Sequence, residues 1–244
     1  MENKKIDLLN RKSFIDSVVK LIEVTAKSKE HRTFAINGEW GLGKTWVLEE
    51  IEKELNNKKS EKGKRSFFVI HYNCWEYDYY QEPLIAIVSA LLNSIEEAKF
   101  IPSRTKASIK QGLKTIGKTV LSIGSLLIKP YIGIDVDDAI NHIKNPIESS
   151  NKEREKQFDF DEFYKFKEAL EKLKKELSKL SEKYTIVFCV DELDRCLPQY
   201  AIKVLERLHH VFEGVSNLQV VLSIDKTQLD ETIKTIFGTN VNIS

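Results

Sequence analysis

Eight consecutive residues, Gly38-Glu39-Trp40-Gly41-Leu42-Gly43-Lys44-Thr45, constrain this chain more than any other stretch. Three glycines in eight positions interrupt regular structure, because glycine loses the most conformational freedom when held in a helix or strand. The preceding Phe34-Ala35-Ile36-Asn37 is a short apolar run, and beyond the loop Val47, Leu48, Ile51 and Leu55 resume a helical period. The local order is therefore strand, tight loop, helix. Such a loop leaves the first backbone N–H groups of the helix unpaired and able to converge on an anion. Gly38, Gly41 and Gly43 are expected to supply positive φ values and close backbone approach.

The rest of the chain alternates in the same way. Phe14, Val18, Leu21, Ile22 and Thr25 predict a first helix over about Lys12 to Ala26. Phe67 to Tyr72 has the aromatic and β-branched content of a strand, and Leu84, Ile87, Val88, Leu91 and Ile95 follow at helical spacing. Phe163 to Leu180 reads as a long amphipathic helix, Tyr184 to Val190 as a strand buried on both faces, Ala201 to Phe212 as a helix, and Leu218 to Ile224 as a fourth strand. Strands alternating with helices predict an α/β three-layer sandwich around a mainly parallel sheet. With 244 residues and 41% hydrophobic content there is material for one sizeable core. Residues 1–244 are expected to form one domain, with 98–157 a basic, mostly helical insertion between strands two and three.

The net charge of +1 conceals two opposed regions. Ala98 to Ile134 carries seven Lys and Arg and no Asp or Glu, leaving −6 on the remainder. Lys106, Lys110, Lys114 and Lys118 recur every fourth residue, a basic helical face to which an anionic membrane or nucleic acid would bind, or simply a solvated lysine face. Three cysteines without a CxxC pairing argue against a disulfide framework or a zinc site and for a reducing cytosol. The longest uncharged runs fall short of the roughly 20 residues that span a bilayer. A cytoplasmic location is expected, with peripheral contact at the inner membrane face as its variant.

The loop matches GxxxxGK[ST] in full, a pattern whose backbone cradles phosphates. Glu39, Trp40, Leu42 and Trp46 belong to this nucleotide-binding segment; Lys44 would reach the β- and γ-phosphates, and the Thr45 hydroxyl would ligate Mg²⁺. The second half of such a site is an apolar strand ending in acids, expected beside the first strand. Ile186 to Val190 followed by Asp191 and Glu192 supplies it: Asp191 would hold the metal and Glu192 would polarise an attacking water. Ser223 or Asp225, ending strand four, is a candidate sensor of the γ-phosphate; a strand-end turn or a helix cap is the other reading. Asn-Lys-x-Asp, which reads guanine in GTPases, is absent from the chain, so ATP is favoured.

Three strings now carry a family resemblance: Gly-x-Trp-Gly-x-Gly-Lys-Thr, Asn73-Cys74-Trp75-Glu76-Tyr77 after strand two, and Asp191-Glu192-Leu193-Asp194-Arg195-Cys196-x-Pro198 after strand three. Together they resemble the KAP family of P-loop NTPases, over most of Lys5 to Phe237. The resemblance implies an Mg²⁺-dependent ATPase of ASCE type, the class with a catalytic glutamate, whose bacterial members include phage- or plasmid-exclusion proteins. It implies a switch acting through a homo-oligomer or an effector protein. Transmembrane helices often inserted in this family are reduced or absent here, where only Thr119 to Ile128 occupies the place. An Asp-x-x-x-Arg stretch, Asp7 to Arg11, would let backbone and Leu9 cover the adenine, with Arg11 beside it; the other reading has Asn10 as an ordinary helix cap. Trp75 and Tyr77 are expected beneath the sheet edge, Glu76 in an ion pair or the site, and Arg195 paired with Asp194 or a neighbouring acid. Arg207 is a candidate finger acting on another subunit's nucleotide. A complete domain of this type would add a fifth strand and a helical lid, so the chain is expected to be a fragment or a minimal member, with weak or partner-dependent hydrolysis. The other readings are a nucleotide-gated module for anionic membrane or nucleic acid, and a kinase, against which Glu192 stands.

Overall fold

The computed structural model describes residues 7, 9–60, 63, 66–79, 82–123 and 160–238, with side chains except at 121–123, 160–163, 232, 235 and 237. The end of the Thr119–Ile128 run, the rest of the 98–157 insertion and any fifth strand over 239–244 lie outside the described residues.

Helix α1 (Lys12–Ala26) leads into β1 (Arg32–Asn37), and α2 (Lys44–Asn57) begins at the lysine of the glycine loop. Then come β2 (Phe67–Asn73), a 3₁₀ turn at Trp75–Tyr77, α3 (Pro83–Glu97) and α4 (Ser103–Ile123). The second half runs α5 (Phe160–Ser181), β3 (Thr185–Asp191), a 3₁₀ turn at Leu193–Arg195, α6 (Pro198–Phe212), β4 (Leu218–Ile224) and α7 (Lys226–Phe237). All three strand pairings are parallel, in the order β1-β4-β3-β2.

That order corrects one expectation, because β4 separates β1 from the strand ending in Asp191. Burial explains it. All seven residues of β4 and all seven of β3 are buried, whereas in β1 only Ile36 is fully buried. Each large apolar side chain withdrawn from water contributes about 1.5–3 kcal/mol, so the two fully buried, mainly apolar strands belong inside the sheet and β1 at an edge.

Alternate residues of the central strands point into two apolar layers, as a period of two requires. Ile186, Phe188 and Val190 of β3 join Leu218, Val220, Leu222 and Ile224 of β4 in the larger layer, against α3, α4, α5 and α6. Val187, Cys189 and Val221 face the smaller layer, filled by Ile15, Val19 and Ile22 of α1 and Val47, Leu48, Ile51 and Leu55 of α2. Gln219, on the same face as Val221, is fully buried and donates to the Ile22 carbonyl at 3.1 Å, which ties the end of α1 to the sheet. Helices on both faces of a parallel sheet make the expected three-layer sandwich.

Ile109, Leu113, Ile116 and Val120 bury one face of α4 in the larger core. An adjoining face carries Lys106, Lys110, Lys114 and Lys118 along an open groove of about 750 Å³. Lys110 pairs with Glu96 and Lys106 donates to the Glu96 carbonyl at 2.9 Å. Among the described residues no helix is long and apolar enough to cross a membrane.

Candidate functional site

The C-terminal ends of all four parallel strands lie along one edge of the sheet, where α/β folds place their ligands. β1 ends at Asn37 and hands over to the loop through Gly38 N–H, which donates to the Ile224 carbonyl at the tip of β4 (3.1 Å). Asn37 Oδ1 accepts from Lys226 N–H at 2.9 Å, locking the two strand ends together. Gly41 and Gly43 have φ of +85° and +73°, and Gly43 is the N-terminal cap of α2. Gly38 departs from expectation. It is not among the positive-φ glycines, and a Cβ there would meet only ordinary contacts at 3.5–3.7 Å.

Gly43 is constrained twice, because a Cβ would fall 2.5 Å from Arg11 Nη1. Arg11 Nη1 donates to the Leu42 carbonyl at 2.6 Å and to that of Gly43 at 3.3 Å, and its guanidinium lies 4.5 Å from the Trp46 ring centre. Arg11 therefore clasps the loop from behind and rests on Trp46. Gly43→Ala must both strain the backbone and expel this guanidinium. A loss of nucleotide affinity of at least tenfold is expected, with a melting temperature several degrees lower, read by equilibrium binding and thermal unfolding. Asp7 contributes the capping bond of α1, accepting from Lys12 N–H at 3.1 Å; Asn10 sits at φ +52° and makes no such bond. Leu9 is 64% exposed, and the Trp46 indole N–H is buried without a partner.

The cavity beneath the loop measures about 190 Å³ and is lined by Trp40, Gly41, Gly43, Lys44, Thr45, Asp191, Glu192, Asp194 and Arg195. That is room for phosphates rather than a whole nucleotide, since small-molecule sites run to about 300–1,000 Å³. Lys44 Nζ donates to the Gly38 carbonyl at 2.8 Å and the Glu39 carbonyl at 3.3 Å, and lies 3.5 Å from Asp194 Oδ2. Asp191 is 1% exposed; its Oδ1 accepts from Glu192 N–H at 2.9 Å, while Oδ2 is buried without a partner. Ser223, one step beyond the Val190–Leu222 pairing, is fully buried and its hydroxyl is likewise unpartnered. Asp225 is spent otherwise, its Oδ1 capping α7 through Thr227 and Gln228 N–H at 3.0 and 3.3 Å.

Glu192, which lines the cavity, stands at φ +57°, a left-handed conformation uncommon outside glycine. Its Oε2 accepts from Asn73 Nδ2 at 3.1 Å, and its Oε1 lies 3.0 Å from Arg195 Nη1. Asn73 is the last residue of β2, in register with Asp191, and its Oδ1 accepts from Trp75 and Glu76 N–H at 3.1 Å each. Sequence reasoning quoted Asn73 as part of a motif without giving it a contact. Its position directly after an apolar strand was the available signal. Tyr77 packs under the sheet edge against Tyr72 as expected, with ring centres 6.0 Å apart, but Trp75 does not, being 52% exposed. Burial pushes the Cys74 and Cys189 thiols well above their usual range, which leaves them inert.

Arg207 is corrected outright. It is 2% exposed, with Nε 2.7 Å from Glu82 Oε1 and Nη2 3.2 Å from Glu82 Oε2. A guanidinium sealed between α3 and α6 cannot reach another subunit's nucleotide, so Arg207 is a structural tie rather than a finger.

The family model for the KAP family P-loop domain matches residues 11–243, nearly the whole chain. The chain belongs to the KAP family. A search of curated proteins finds no match. As a KAP P-loop domain the chain is a nucleotide-binding P-loop NTPase, and the family assignment agrees with the all-parallel sheet and with the loop between β1 and α2. Among the described residues no group of three or more His, Cys, Asp or Glu side chains is arranged to hold a metal.

Proposed function

We propose that this KAP domain is an Mg²⁺-dependent ATPase in which the state of the γ-phosphate controls an effector or an assembly. The observation that carries the reading is a pair of orphaned, buried oxygens at strand ends, Oδ2 of Asp191, which lines the phosphate cavity, and Oγ of Ser223 near the end of β4. An unpartnered buried carboxylate oxygen costs stability unless something binds it. Together with the Thr45 hydroxyl, Asp191 offers hard oxygen donors of the kind Mg²⁺ takes. Mg²⁺ bound with the nucleotide would neutralise phosphate oxygens at this position.

The chain's own residues carry the rest of the chemistry. The N–H groups from Gly41 to Thr45 would surround the β-phosphate, and Lys44, now resting on two loop carbonyls, would turn toward the β- and γ-phosphates as a point charge. Glu192, steadied by Asn73, would take the proton of a water attacking the γ-phosphorus as the bond to the β-phosphate oxygen breaks. Ser223 would lie where a hydroxyl senses the terminal phosphate. Leu9, Arg11 and Trp46 would flank the adenine. A defence-linked role rests on family resemblance alone. The lysine face of α4 supports the second reading, a module for anionic partners, less strongly, since its apolar side is already buried in the core and two of its lysines engage Glu96.

Lys44→Ala is the direct test. ATP affinity, measured with a fluorescent analogue, is expected to fall at least 100-fold, and phosphate release to disappear both in this variant and in wild type stripped of divalent cations. Turnover indifferent to both treatments would refute the reading.

A further inference from the structure

Two cationic side chains line the phosphate cavity, Lys44 and Arg195. The loop motif accounts for the first. Arg195 has no part in the reading above, which the following inference deepens and on which it rests.

Arg195 closes the 3₁₀ turn that follows Glu192, with Nη1 3.0 Å from Glu192 Oε1. Its guanidinium lies 6.0 Å from the ring centre of Trp40 and 5.7 Å from that of Trp75, near the outer limit of cation–π attraction. Trp40, in the phosphate loop, is 75% exposed, and the Arg195 side chain itself is 38% exposed. Arg195 is thus held at the rim by one partly solvated ion pair and two distant aromatic faces, each weak. Arg207, by contrast, is fixed by two short bonds at 2% exposure. A loosely held guanidinium moves to the stronger anion that enters its reach. A terminal phosphate offers three oxygens and more charge than the Glu192 carboxylate, in a geometry that suits the arginine fork.

We propose that Arg195 is a catalytic residue, exchanging its ion pair with Glu192 for the γ-phosphate oxygens when ATP binds. The exchange does two things at once. It places a positive charge, supplied by the same chain, on the phosphoryl oxygens over which the transition-state charge is spread, and it frees Glu192 Oε1 to receive the proton of the attacking water. Asn73 keeps Oε2 in place throughout. Bond order balances: the water oxygen bonds to phosphorus, the bridging oxygen leaves with its electron pair on ADP, and the proton passes to Glu192.

The test compares wild type, Arg195→Ala and Arg195→Lys in phosphate release, in affinity for ATP and for ADP, and in thermal unfolding. Arg195→Ala is expected to lower kcat on the order of 10³-fold. Its ATP affinity should fall roughly tenfold while its ADP affinity and melting temperature stay those of wild type, because the lost contact is to the γ-phosphate alone. Arg195→Lys should recover part of both losses, keeping the charge without the fork. An alanine variant that hydrolyses at the wild-type rate or faster, with its preference for ATP over ADP intact, overturns the proposal and leaves Arg195 a mere restraint on Glu192. Wild type that binds neither nucleotide would instead sink the ATPase reading itself. Should the alanine variant unfold, the lysine variant decides by the same two measures.

Discussion

Glu192→Gln is expected to leave ATP bound and nearly stop its turnover, with kcat lower by about 10²–10⁴-fold and ATP affinity within a few-fold of wild type. The substitution is nearly isosteric. A glutamine oxygen can still accept from Asn73 Nδ2, now 3.1 Å from Glu192 Oε2, and the turn at φ +57° is held through the backbone N–H and C=O of Glu192, which bond Asp191 Oδ1 and Arg195 N–H. What is lost is the capacity to take a proton. Lys44→Ala should behave in the opposite way, losing affinity first, because its charge is used in the ground state as well as in the transition state. Phosphate release paired with equilibrium binding separates the two variants. If Glu192→Gln turned over normally, Glu192 would not be the base, and the Asn73 and Arg195 contacts would amount to a surface network.

How much of this was legible in the sequence follows from the range of each signal. The glycine loop, the acids ending β3 and the apolar periods of α1, α2, α3, α5 and α6 act within a few residues, and they placed the loop between a strand and a helix and Asp191 at a strand tip. Strand order is a tertiary property. Nothing local distinguishes a strand beside β1 from one a step away; only comparing the half-exposed Arg32–Asn37 with the wholly buried Leu218–Ile224 suggests which one takes the edge. Gly38 misled because a motif glycine is easily credited with a positive φ that only Gly41 and Gly43 adopt. Arg195 lies three residues from Glu192, within the expected pairing with a neighbouring acid, but the Asn73 contact to Glu192 joins the ends of two different strands, 119 residues apart in sequence. No spacing rule reaches that far.

The same limit applied to Arg207, and it sets up the largest expected loss of stability. Glu82, 125 residues earlier, caps α3 through Leu84 N–H at 3.2 Å and holds Arg207 from the side facing α6, with both side chains 3% exposed or less. The pair staples the helix that precedes the basic segment to the helix that follows the Leu193–Arg195 turn. Arg207→Met would leave the Glu82 carboxylate buried with one backbone partner, a situation that costs about 3–5 kcal/mol. Glu206, 3.6 Å from Arg207 Nη1, cannot offset this, because it is itself an acid. Adding Glu82→Leu removes the stranded charge, and the double variant should regain most of the loss; the remaining deficit should be about 0.5–2 kcal/mol for the missing cap. Denaturant midpoints at constant m-value measure each step. A single-variant cost below about 1 kcal/mol, the range of exposed pairs, would mean that water reaches the pair and that Arg207 is free enough to act elsewhere after all.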